Sequence, residues 1–261
     1  MALLFNEIKF LRKRNDLLKY LVSTEIKITY KNKTLGVLWS ILDPFFMMLI
    51  YILLVAVIFQ KGGPQFPILL FSVLLPWRWF VQSISAAARA MVGNAKLIQT
   101  VNIPKSALPI SRVLISLVNY LMGCVVLIPM LFLFEANFSW HLLWFPVLIL
   151  SQFIFTIGAV LIVSVVGVYF RDLQNIIQFV VRLWFYLSPA LYSINDIPQK
   201  YYHAYMVLNP FASLFASYKN VLVRGTAPNE YILWFTALGV ILCIAGLAFF
   251  DKYSANITKN L

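Results

Sequence analysis

From Leu142 to Phe170 the chain reads LLWFPVLILSQFIFTIGAVLIVSVVGVYF, without one charged side chain. A helix needs roughly 20 predominantly apolar residues to cross the hydrocarbon core of a bilayer. This run exceeds that length, and five more lie on either side of it: Leu38–Phe59, Phe66–Val92, Leu108–Phe134, Ile176–Ile194 and Tyr231–Phe250. Together they predict an all-α integral membrane protein of six transmembrane helices. Several runs are longer than a span requires, so tilt or extension past the bilayer is expected. The chain reads as one membrane domain over 1–261, with an N-terminal segment 1–37, a six-span region 38–250 and a tail 251–261.

Composition supports this class. Apolar residues make up 62% of the chain and charged residues 11%, against about 45–50% and about 25% in soluble domains. A water-soluble fold could not hide so much apolar surface. The net charge of +12 would point to nucleic acid in a soluble protein. Here the basic residues sit in segments between apolar runs, where membrane topology explains them and no nucleic-acid partner is needed. With the N-terminus inside, fifteen of the 21 Lys and Arg fall on inside segments and four outside, while Arg78 and Arg182 lie within spans. That bias predicts cytoplasmic N- and C-termini. Cys124 and Cys243 each lie in an apolar run without a CxxC partner, as structural thiols do. Arg12-Lys13-Arg14 leads into a mixed polar stretch, not into the short apolar core and cleavage site of a signal peptide.

Two segments outside the spans have a pattern of their own. On a helical wheel of Leu17–Lys31, Leu17, Leu18, Leu21, Val22 and Ile28 share one face, and Lys19, Lys27 and Lys31 share another with Ser23. This is the pattern of an amphipathic helix lying in the membrane interface, although Glu25 intrudes on the apolar face. A plain anchor before the first span and a helix that also touches a cytoplasmic partner both fit. Between the last two runs, Asn195–Glu230 contains the apolar stretch Ala204–Tyr218, broken by Asn209-Pro210. It is too short to cross twice. It predicts a re-entrant segment before the last span, because irregular backbone survives at membrane depth only against protein or a water-filled cavity. A surface loop with an interfacial helix is the plainer alternative.

The sequence carries little that could do covalent chemistry. There is no GxxxxGK[ST] loop to cradle phosphates, no HExxH, no nucleophile elbow and no paired carboxylates. No catalytic residue, metal ligand or cofactor site is expected. Only Asp43 among the nine acids sits well inside a span, too few for the ion relay of a coupled transporter. The membrane-depth charges are therefore Asp43, Arg78 and Arg182, all expected at similar height near the inner edge. One reading has an arginine bind an anionic pyrophosphate or polyanion at the mouth of a path; the other has an Asp43–arginine pair lock two spans. Aromatic side chains crowd both arginines: Trp77, Trp79 and Phe80 beside Arg78, and Trp184, Phe185, Tyr186 and Tyr192 after Arg182. Rings stack on the C–H faces of sugars, but they also populate membrane interfaces. The substrate-path candidates are Arg78, Trp77, Trp79, Phe80, Arg182, Trp184, Tyr186 and Tyr192.

The ordered set of short motifs resembles the ABC-2 type permeases of polysaccharide exporters nearly end to end. The run Thr34-Leu35-Gly36-Val37-Leu38-Trp39 with Leu42 and Pro44 is similar to the opening of their first span. Asn94-Ala95-Lys96-Leu97-Ile98, Val101, Ile103-Pro104 and Leu108-Pro109 resemble the loop between their second and third spans. Phe170-Arg171-Asp172-Leu173 resembles their second cytoplasmic loop, and Ser188-Pro189, Tyr192 and Asn209-Pro210 their last third.

The resemblance implies a homodimer enclosing a path, with two copies of a separate cytoplasmic ATPase that bind ATP and magnesium. It implies an interfacial helix at Leu17, Lys19, Leu21, Lys27 and Lys31. It assigns ATPase coupling to Asn94, Lys96, Leu97, Ile98, Val101 and Ile103, with Arg171 and Asp172 as a second contact. It implies export of an undecaprenyl-pyrophosphate-linked polysaccharide across the bacterial cytoplasmic membrane. The sequence looks most similar to wall teichoic acid permeases, which makes that polymer the expectation. O-antigen or capsular polysaccharide export, then drug or lipid export, then a membrane enzyme on lipid-linked sugars are the alternatives.

Overall fold

The computed structural model describes residues 15–31, 36–58, 60, 63–100, 104–170 and 172–260; these form helices joined by turns and short loops, without a strand among them. The helices are α1 (Asn15–Lys31), α2 (Trp39–Ile52), α3 (Phe66–Ala87), α4 (Ala95–Thr100), α5 (Ala107–Leu133), α6 (Phe145–Tyr169), α7 (Leu173–Leu187), α8 (Gln199–Leu208), α9 (Pro210–Lys219) and α10 (Ile232–Asn260).

Of the six expected spans, four are helices long and apolar enough to cross a membrane: Phe66–Ala87, Ala107–Leu133, Trp140–Tyr169 and Ile232–Ser254. The other two are shorter α-helices, each for a local reason. α2 runs 14 residues and then widens into a π-helical turn, Leu53–Ile58. α7 has 15 residues, about 22 Å at roughly 1.5 Å per residue, so it ends at Leu187 and not at Ile194. The cause is Pro189, which disfavours helical backbone at the residue before it; Ser188 is extended, with φ −99° and ψ 152°. At the other end of the chain α10 continues to Asn260, so the tail is helical instead of starting afresh at 251.

α6 and α10 form the longest seam of the bundle, and glycine allows it. A Cβ on Gly158 would stand 2.5 Å from the backbone of Leu242 and Cys243, and one on Gly246 would stand 2.5 Å from the Gly158 carbonyl. Between helices in lipid the hydrophobic effect is weak, so such close backbone approach supplies the packing.

α8 and α9 form a hairpin whose tip, Asn209-Pro210, is driven into the bundle. All ten residues of α9 are buried. Pro210 starts the helix, where its missing N–H costs nothing, and Asn209 stays extended before it. Phe211, next to the tip, meets the rings of Trp77 (4.9 Å), Phe80 (4.7 Å), Trp184 (5.1 Å) and Phe155 (5.5 Å). Trp77 and Phe80 lie past the middle of α3, so the hairpin penetrates deep into the core.

The two ends of the bundle are tied differently. At one, Leu21 of α1, Leu97 and Ile98 of α4, Leu108, Val165 and Phe250 share a small cluster. There Glu25 pairs with Arg112 of α5, which explains the acid on the apolar face of α1: it faces protein. Lys19 and Lys27 are exposed and Leu21 is half-buried against this cluster; the side chains of Leu17 and Lys31 lie outside the described ones. At the opposite end the backbone N–H of Asn137 donates to Val223 (2.9 Å), and Ser139 Oγ to the Gly225 carbonyl (2.7 Å).

Candidate functional site: a cationic cavity and its supports

α2, α3 and α7 leave a cavity of about 260 Å3 between them. Its lining includes Arg78, Arg182, Trp77 and Tyr186, four of the eight path candidates, together with Met47, Tyr51, Gln82 and Phe185. Sequence spacing predicted the arginines at one height, and the structure brings them to one void.

The two arginines differ. Arg78 pairs with Asp43 of α2, and the pair ties α2 to α3. Arg182 is exposed on the outside of the lone chain, and no ion pair reaches it among the described residues. The Asp43–arginine pairing falls to Arg78, and Arg182 is left exposed without an ion pair among the described residues. A guanidinium facing hydrocarbon is costly, and such residues turn to a bundle interior or a water-filled cavity.

The other four candidates do not line this void. Trp79 is 1% exposed, donates Nε1–H to the Val113 carbonyl (3.2 Å) and stacks on Tyr120 (5.3 Å). Phe80 is in the aromatic core with Phe155 and Phe211. Trp184 donates Nε1–H to Asn209 Oδ1 (2.9 Å). Asn209 Nδ2 in turn donates to the Leu187 carbonyl (3.0 Å) and to Ser188 Oγ (3.0 Å). The hairpin tip therefore caps the end of α7, supplying a donor to one of the carbonyls every helix leaves unpaired. Tyr192 Oη donates to the same Leu187 carbonyl (2.8 Å), and the residue borders a second cavity, at the hairpin end.

The strap from Ser188 to Tyr192 is held by one buried cation. Lys219 Nζ donates to the carbonyls of Pro189 (2.5 Å), Ala190 (3.2 Å) and Tyr192 (3.3 Å). Gln152 is a second buried polar support: its Nε2 donates to the Pro76 carbonyl (2.7 Å), and its Oε1 accepts from Tyr218 Oη (3.1 Å). Neither stood out among the path candidates. Gln152 was findable as the lone amide in the Leu142–Phe170 run, and Asn209 by its place before a proline. Nothing in the spacing pairs Lys219 with carbonyls about thirty residues away.

At the α1 end the coupling candidates divide by exposure. Lys96 is exposed on α4 beside exposed Gln99, while Leu97 is half-buried and Ile98 buried in the chain's own cluster. Asn94 Nδ2 donates to the Ala90 carbonyl (2.8 Å), a local cap. Asp172 is exposed just before α7. Val101, Ile103 and Arg171 lie outside the described residues. Among the described residues no group of His, Cys, Asp or Glu is placed to hold a metal.

Comparison with known proteins adds the family. Residues 16–223 match the ABC-2 type transporter family. The chain is 33% identical over 256 residues to the O-antigen export system permease protein RfbA of Myxococcus xanthus, covering 97% of this chain and 98% of the relative. It is 32% identical over 249 residues to the corresponding Klebsiella pneumoniae protein, covering 94% and 95%. It is 24% identical over 230 residues to the polysialic acid transport protein KpsM of Escherichia coli, covering 85% and 88%.

Proposed function

The chain belongs to the ABC-2 type transporter family, and we propose that it is the permease through which a lipid-linked polysaccharide of the O-antigen class leaves a bacterial cytoplasm. ATP is hydrolysed by a separate subunit in this family, so the chain is a multi-pass membrane permease and not an enzyme, and it carries no cofactor of its own. The full-length relatives are O-antigen export permeases, with polysialic acid transport further off. They favour O antigen over wall teichoic acid, the polymer the motifs alone pointed to.

The observation that carries the reading is the α2–α3–α7 cavity with Arg182 on its rim. A pyrophosphate-linked cargo is anionic where glycan meets lipid. A planar guanidinium with five N–H donors binds phosphate oxygens in pairs. Tyr186 is exposed at the same void and offers a ring face to a sugar, while Trp77 lines it from the aromatic core. Phe46 and Ile50 of α2 and Phe179 and Leu183 of α7 are exposed apolar side chains on the helices that border Arg182. A second copy set against these side chains encloses the arginine in a hydrated path; a single copy leaves it to lipid. We therefore take the working unit as a homodimer of six-span chains, with α2 and α7 completing the six, each chain bound to one ATPase.

In this orientation the α1 end is cytoplasmic and the hairpin is re-entrant from outside. α4 and the segment before α7 meet the ATPase through Lys96, Gln99 and Asp172. Ile98 carries that motion inward through its contacts with Leu108, Val165 and Phe250. The test is export of the polymer to the cell surface by cells carrying this chain and its ATPase. Lys96→Glu with Gln99→Glu is expected to assemble in the membrane and lose ATPase association. Normal association would refute the docking assignment. A drug-stimulated, glycan-insensitive ATPase would refute the cargo.

A further inference from the structure

The two π-helical turns among the described residues, Leu53–Ile58 and Asn220–Arg224, belong to helices far apart in sequence, yet both wall one cavity of about 540 Å3 at the hairpin end. π turns are rare and gather at functional sites, because the wider turn strains hydrogen-bond geometry and has to be held by its surroundings. This void is about twice the size of the one between α2, α3 and α7, and it falls within the range of about 300–1,000 Å3 usual for ligand sites.

Its lining is mixed in character. Leu54, Val55, Phe66, Leu69 and Leu191 supply apolar lining, and Lys219, Arg224 and Asp196 supply the ionisable groups. Asp196 already accepts the Ser193 N–H on Oδ2 (2.8 Å). Lys219 spends its N–H groups on carbonyls, and burial pulls its pKa down to about 7, so it adds little charge to the cavity. Arg224 donates through Nη1 to Asn220 Oδ1 (3.2 Å). No other bond or ion pair involves it among the described residues, so most of its donors are free. Arg224 therefore sets an exposed guanidinium with free donors beside apolar surface. That combination suits an anion attached to a hydrocarbon tail. A free sugar acid would gain nothing from the apolar lining, and a neutral lipid nothing from the arginine.

We propose that this cavity binds the net-anionic phosphoryl headgroup of a lipid, its oxygens on Arg224 and its tail along Leu54, Phe66 and Leu69. The proposal rests on the chain being membrane-embedded, not on which polymer is exported. Two sources share the chemistry: an anionic phospholipid of the outer leaflet, and the polyprenyl phosphate that carries a cargo.

The test is native mass spectrometry of the purified complex with its ATPase, titrated with phosphatidylglycerol and separately with undecaprenyl phosphate, against phosphatidylcholine as control. Losing one charge-assisted contact is expected to weaken lipid uptake about tenfold in Arg224→Gln, a variant of an exposed side chain that leaves the packing alone. Leu54→Trp, which crowds the apolar lining, is expected to reduce uptake with Arg224 intact. Undecaprenyl phosphate displacing phosphatidylglycerol would make the site a carrier site; phosphatidylglycerol holding against it would make the site a structural lipid site. Equal uptake of both phospholipids by wild type and both variants would overturn the proposal, as would uptake of phosphatidylcholine at the same level.

Discussion

The α6–α10 seam and the α2–α7 face are built from the same apolar alphabet and do opposite things. α6 and α10 are long, lack interior proline, and touch backbone to backbone at Gly158 and Gly246. α2 and α7 are short; α2 carries Pro44 and runs into a π turn, and α7 is stopped by Ser188-Pro189. The seam has no charge at membrane depth, whereas the face has Asp43, Arg78 and Arg182 around a void. The seam is scaffold. In the proposed exporter the irregular, charged face borders the path.

The sharpest break of this contrast is at the seam. Gly246→Leu puts a side chain where a Cβ already lies 2.5 Å from the Gly158 carbonyl. Overpacking costs about 1–3 kcal/mol even where side chains can yield, and here the neighbour is backbone. Loss of the monodisperse peak in size-exclusion chromatography is expected; a well-folded variant would mean the seam is loose. The next effect is in the α1-end cluster. Ile98→Asp buries an unpaired carboxylate and costs several kcal/mol, so it is expected to lower the melting temperature itself, beyond any effect on ATPase association. An unchanged melting temperature would move Ile98 to the docking surface.

On the face, Arg78→Gln strands Asp43, and the double variant with Asp43→Asn removes both charges. If the pair is a lock, the double variant melts close to wild type and exports, while the single variant is weaker by about 1 kcal/mol. Loss of export in both variants, with melting unchanged, would make Arg78 part of the path. The smallest effect is at the hairpin tip. Trp184→Phe keeps the ring against Phe211 and loses the bond to Asn209, a cost of about 1 kcal/mol. A melting temperature a few degrees lower is expected, with export retained.

Much of this was legible in the sequence, for reasons that also mark its limit. Spans announce themselves by length of apolar run, so α3, α5 and α6 keep close to their expected bounds; α5, for instance, is Ala107–Leu133 against an expected Leu108–Phe134, whereas α10 runs on to Asn260, past the expected Phe250. α7 overran its true end because Leu191 and Ile194 read as apolar continuation, although Pro189 carries the stop signal. The meeting of Arg78 and Arg182 followed from counting helical rise. Trp79 and Phe80 did not follow, because a ring beside a lining residue on a helix points elsewhere; only packing tells core from lining. The intrusive Glu25 was visible as an anomaly, and its partner Arg112 was not, since ion pairs across eighty-seven residues leave no local trace.

The central claim is that Arg182 faces water and an anion in the assembled exporter. It is tested most directly by Arg182→Cys in a background with Cys124 and Cys243 replaced by serine. The account predicts that this variant assembles with its ATPase and fails to display polymer at the cell surface. It further predicts that a cationic aminoethyl methanethiosulfonate reagent restores export and a neutral methyl reagent does not. Wild-type export by the untreated variant, or equal rescue by both reagents, would contradict it.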